Sequence, residues 1–167
     1  PYFGNVTLRN VERAASVAVK NGMRPLMERC VSVLPLRLTP TDMPGADIGS
    51  ISHSVSLILS LFCESGDSKS RQIVRPRLST VVEAMRLCHL DIPLQERGLF
   101  VLRHATSCGD FQLHFVINRD MFRERYWDET VVSALVRYPE SAAVQEHGFA
   151  TLSNCMEDVD YGLDKSE

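Results

Sequence analysis

An internal repeat constrains this chain more than any other feature. Thr80-Val81-Val82-Glu83-Ala84 is answered by Thr130-Val131-Val132-Ser133-Ala134, and Leu94-Gln95-Glu96-Arg97-Gly98 by Val144-Gln145-Glu146-His147-Gly148. Both pairs are offset by 50 residues, and seven of the 19 aligned positions (80–98 against 130–148) are identical. Chance at ordinary composition supplies about one such identity. Leu102 and Leu152 extend the match, and a weaker copy stands earlier, with Ile51, Val55 and Leu59 placed 93 residues before Val144, Gly148 and Leu152. A unit of this length cannot bury its own apolar face, so copies must stack to share one core.

The spacing within the copies is helical. Leu8, Val11, Ala15 and Ala18 recur at three and four residues, as do Val81, Met85 and Cys88, and later Val131, Leu135 and Tyr138. No period-2 strand pattern stands out. Breaks fall at Asn21-Gly22, between Thr39 and Gly45, at Ser65-Gly66-Asp67, at Ile92-Pro93, at Cys108-Gly109-Asp110 and at Pro139. The expected fold is all-α: a first unit with helices near 8–21, 23–37 and 48–63, and a second with a stunted helix near 68–75 followed by helices near 77–90 and 92–106. A third unit follows, with helices near 110–119, 121–138 and 140–156. One domain over 1–156 with repeats near 8–64, 68–106 and 110–156, then a tail over 157–167, accounts for the 167 residues. The tail holds five acids and one lysine, a net −4 that reads as a solvated run.

Ser141-Ala-Ala-Val-Gln-Glu-His-Gly-Phe-Ala-Thr-Leu-Ser-Asn154 resembles the third helix of an armadillo repeat, and Val17-Ala-Val-Lys-Asn-Gly-Met-Arg-Pro-Leu26 resembles the junction of that family's first two helices. Phe100 and Ala150 stand where many armadillo repeats carry Trp, and His104 replaces Asn. The resemblance implies a right-handed armadillo/HEAT-like α-solenoid of about three repeats. It also implies a concave surface, lined by the third helices, that binds another protein or a peptide. The ligand-facing positions it implies are Leu57 and Leu61, Phe100 and His104, and Ala150 and Asn154. Asn154 would hold a ligand's backbone or, equally, cap a helix C-terminus. Adjacent repeats of a longer chain are the other expected partners, and Pro1 in place of an initiator Met reads as a cut fragment or a processed product.

Chemistry is not indicated. GxSxG, HExxH, GxGxxG and GxxxxGK[ST] do not occur, and Glu146 beside His147 points around the helix rather than toward it. No cofactor is expected. The five cysteines are odd in number and contain no CxxC, which argues for free thiols, a cytoplasmic setting and no metal site. Apolar runs are far short of the roughly 20 residues that span a bilayer, and a net charge of −3 gives no general attraction to nucleic acid.

Three features carry two readings each. Lys69, Arg71, Arg75 and Arg77 form a basic run that suits an acidic partner or a soluble loop. Trp127, with Tyr126 and Phe122, is a partner hot spot or a packing residue between helices. Gly98 and Gly148 mark either a close helix–helix approach or the start of a helix.

Overall fold

The computed structural model describes residues 8–36, 38, 47–64, 72–107 and 127–156, and among them it contains seven α-helices and no strand. The first is α1 (Leu8–Lys20), whose apolar stripe buries Val11, Ala15 and Ala18. It stops at Gly22, the residue whose φ of 61° an L side chain rarely tolerates. There Met23 N–H donates to Ala18 O at 2.7 Å and Gly22 N–H to Val19 O at 3.1 Å, the paired reversed bonds of a Schellman stop. Helix α2 (Arg24–Ser32) is shorter than its spacing predicts. Pro35 explains the difference: it has no amide hydrogen, and its ring would collide with the carbonyl four residues back.

Helix α3 (Ile48–Glu64) follows, then residues 72–74 in helix and a 3₁₀ turn (Arg75–Arg77) that leads into α4 (Leu78–Leu87). The stunted helix expected near 68–75 is therefore described only in its last part. Helices α5 (Ile92–Thr106), α6 (Trp127–Arg137) and α7 (Ala142–Met156) complete the order. The helix expected near 110–119 lies outside the described residues, as does the acidic tail. Asp91 caps α5, its carboxylate accepting from Leu94 N–H at 3.0 Å, and Ser141, 50 residues on, caps α7 by accepting from Val144 N–H at 3.3 Å.

Neighbouring helices pack on one another. α5 contacts both α3 and α7, α4 contacts α3, α5 and α6, and α1 lies against α2 and α3. Their buried side chains form one continuous cluster that includes Ile58, Phe62, Met85, Leu99, Leu102 and Trp127. Trp127 is thus a packing residue; Phe122 and Tyr126 are outside the described residues.

The repeat reappears as geometry. The Gln95 amide donates to Met85 O (2.9 Å) and Cys88 O (3.1 Å), and the Gln145 amide donates to Leu135 O (2.8 Å) and Tyr138 O (3.1 Å). Donor and both acceptors move together by 50 residues. Each glutamine satisfies carbonyls near the end of the preceding helix that no intrahelical donor reaches. Gly98 and Gly148 are each the seventh residue of a 15-residue helix, so neither begins one. A Cβ on Gly98 would lie 2.5 Å from Met85 Cγ, and one on Gly148 2.7 Å from Leu135 Cδ2. Close approach is the reason for both glycines.

Candidate functional site

The six positions implied to face a ligand lie on α3, α5 and α7, and all six are half-buried. Phe100 and His104, one turn apart on α5, bring their rings to a centroid separation of 4.2 Å at 53°. His147 of α7 meets the same Phe100 ring edge-on at 5.4 Å and 70°. The result is a patch of three rings that crosses from one helix to the next.

Two further residues complete it. The Arg103 guanidinium donates to the Glu146 carboxylate, and the same Nη1 lies 3.0 Å from His147 Nδ1. Arginine only donates, so Nδ1 must accept and the neutral ring carries its proton on Nε2. Burial holds His147 below its ordinary pKa, the Arg103 charge adds to this, and Glu146 and Glu96 partly offset it. Glu146 is held below the usual carboxylate range by the hydrogen bond from Arg103 and by its charge. Glu146 and His147 do point to different sides of their helix, but both reach one arginine on the neighbour. Arg103 and His147 are absent from the set that the armadillo resemblance implies. The available sequence signal was Arg103 at three residues from Phe100, on the same helix face.

Asn154 makes a different bond from the one the resemblance implies. Its amide donates to Arg103 O and to Thr106 Oγ1, both at 3.2 Å. It therefore helps to close the C-terminal end of α5 from the neighbouring helix, a capping role exerted between helices. Leu57 and Leu61 sit on α3, with Leu61 and Phe100 packed against the core cluster, and Ala150 is on α7.

The basic run is described only in part. Lys69 and Arg71 are outside the described residues, while Arg77 is buried and its guanidinium donates to Ser32 O at 3.4 Å and to Pro76 O at 3.2 Å. Arg77 thus joins the end of α2 to the start of α4. His53 and Asp91 pair at 2.6 Å between α3 and the cap of α5. Burial opposes ionisation of Asp91, but the bonds from Leu94 N–H and His53 outweigh it and hold the carboxyl below its ordinary value.

Among the described residues no group of three His, Cys, Asp or Glu stands close enough to hold a metal ion. Cys30 and Cys88 are free thiols, and burial pushes Cys30 up from its ordinary pKa. Cys108 is outside the described residues. A groove of about 310 Å³ between α4 and α6 is lined by Arg86, His89, Glu129, Ser133 and Arg137. No described helix is long and apolar enough to cross a membrane. No family model matches this chain, and neither does any curated protein or solved structure.

Proposed function

We propose that this chain is a recognition module rather than an enzyme: a right-handed armadillo/HEAT-like solenoid that binds another protein, or an extended peptide, along the row of α3, α5 and α7. The observation that carries this reading is the ring patch of Phe100, His104 and His147, which makes one surface out of two successive helices. Phe100 supplies apolar area, His104 a hydrogen-bonding ring, and Leu57, Leu61 and Ala150 the flanking contact. Arg103 and Glu146 rim the patch. Lys69 and Arg71 belong to this reading as charges that steer an acidic partner. Five cysteines with no CxxC pair support a reducing compartment such as the cytoplasm.

The test is crosslinking capture with the intact chain, followed by affinity measurement on whatever partner is identified. A Phe100→Ala, His147→Ala double variant should lose at least about 2 kcal/mol of binding, as central interface residues do, while keeping its helical circular dichroism. Undiminished binding by that folded variant would favour the competing reading, a structural segment that connects modules and has no ligand on this face.

A further inference from the structure

Among the described residues, helical layers cover one side of α5 and leave the outer side of α6 and α7 exposed, and this is legible by comparing equivalent positions. On α3, Ser52, Ser56, Leu59 and Cys63 form a stripe with helical spacing, and all four are at most 1% exposed. On α5 the equivalent stripe is Gln95, Leu99, Leu102 and Thr106, again buried to 2% or less. Thr106 accepts from Asn154 of α7, so the C-terminal end of this stripe faces the following helix, while Gln95 at its start reaches back to α4. On α7 the same stripe is Gln145, Phe149 and Leu152. Here Phe149 is 61% exposed, and Gln145 and Leu152 are only half-buried. The paired helix tells the same story: Val82 of α4 is 7% exposed, whereas its counterpart Val132 of α6 is 47% exposed, with Val136 beside it at 76%. A position that is buried in the inner unit and bare in the last is one that a following helical layer would cover.

Charge decides what that layer is. Residues 127–156 carry Asp128, Glu129, Glu140 and Glu146 against Arg137, a net −3 with histidine neutral, and the tail that follows adds a net −4. The opposite end is α1, which packs on α3 away from α5: Ser54, on the side of α3 opposite Ser52, donates to Glu12. Residues 8–36 carry Arg9, Arg13, Lys20, Arg24 and Arg29 against Glu12 and Glu28, a net +3. On α1 the exposed stripe is Arg9, Arg13, Val17 and Lys20, and Val17 (50%) and Met23 (46%) provide apolar area among the cations. Two α6/α7 ends brought face to face would set acid against acid. An α6/α7 end, where Glu146 is already paired with Arg103, still sets net acid against the +3 of an α1 end, with apolar side chains on both sides.

We infer that the α6/α7 end is a docking face for a second copy of this chain, which seats its α1 end there, head to tail. Phe149, Val132 and Val136 then bury against the layer that contains Val17 and Met23, and the arginines of α1 approach Asp128 and Glu140. The two surfaces are different, so the contact is heterologous and leaves a free end at each side of the pair.

Light scattering of the intact chain under reducing conditions tests this, from about 5 to about 500 µM, a range that reads dissociation constants typical of weak self-association. The mass should rise with concentration beyond that of two chains. It should fall toward the monomer when salt is raised from about 50 to about 500 mM, because the charge contribution is screened. Phe149→Asp and Arg13→Glu should each weaken association about tenfold or more, and Val136→Asp provides a second variant of the same face at a still more exposed position. An equimolar mixture of Phe149→Asp and Arg13→Glu should restore association but stop at two chains, because each variant keeps one good end. Phe100→Ala should associate normally, which separates this contact from the proposed ligand surface. A monomer at every concentration, a saturating dimer indifferent to Phe149→Asp, or a mixture that stays monomeric would overturn the inference.

Discussion

Gly98→Ala sets two well-measured effects against each other. In a helix interior, alanine is favoured over glycine by about 0.8–1 kcal/mol. At this site the added Cβ would lie 2.5 Å from both Met85 Cγ and Met85 Sδ, whereas ordinary carbon contacts sit at about 3.5–4.0 Å. Met85 must move by about an ångström, and with no exposed surface it has no solvent to move into. Overpacking of this kind costs about 1–3 kcal/mol, so the helical gain is cancelled or exceeded and a net loss of about 1 kcal/mol is expected. Met85→Ala alone should cost about 2–5 kcal/mol by leaving a cavity. In the double variant the new methyl enters that cavity, so the combined loss should be smaller than the sum by about 1–2 kcal/mol, a coupling expected only of residues in contact. Urea unfolding followed by circular dichroism at constant m-value measures all four corners of the cycle. If Gly98→Ala is more stable than the parent by the full helical increment, Met85 yields freely and the close approach is incidental to the glycine.

Gln95→Leu should cost about 1–3 kcal/mol because it strands the buried Met85 carbonyl, the Cys88 carbonyl keeping its bond from Asp91 N–H, while Gln145→Leu should cost less, since water reaches the half-buried Gln145. Equal losses would show that the greater exposure of Gln145 does not matter. His147 should titrate below its ordinary 6.5 when followed by NMR. In that window the unfolded chain binds the proton and the folded one does not, so stability is full above about pH 6.5 and declines as pH falls through the folded-state value. Arg103→Gln should move the midpoint upward, and a wild-type midpoint at or above 6.5 would contradict the geometry around Nδ1.

The chain's local chemistry carried much of the fold. The 3–4 spacing of apolar residues announces helices, Asn21-Gly22 announces the stop after α1, and the α5 limits of 92 and 106 follow from the Asp91-Ile92-Pro93 cap and the run that succeeds it. The 50-residue offset aligned Gln95 with Gln145 but did not say which carbonyls they serve. Spacing alone overextended α2 past Pro35, because the apolar pattern continues through Leu36 and Leu38 even where the backbone can no longer be helical. The basic run was legible as composition, yet Arg77 turned inward to Ser32 O, 45 residues away, and nothing adjacent in sequence marks it as different from Lys69 or Arg71.

What the sequence determined by itself is whatever depends on neighbours within a turn or two: helix type, caps, breaks and the repeat. Which residues meet across helices was decided only by the tertiary structure. Arg103 reaches Glu146 and His147 across 43 and 44 residues, Asn154 turns to the end of α5 across 51 and 48, and Phe149 is bare where Leu99 is buried. Such pairings depend on the register and rotation of one helix against the next. That register is set by the summed packing of a whole face, to which the seating of Met85 against Gly98 contributes along with the hydrogen bonds. No single residue's spacing records it.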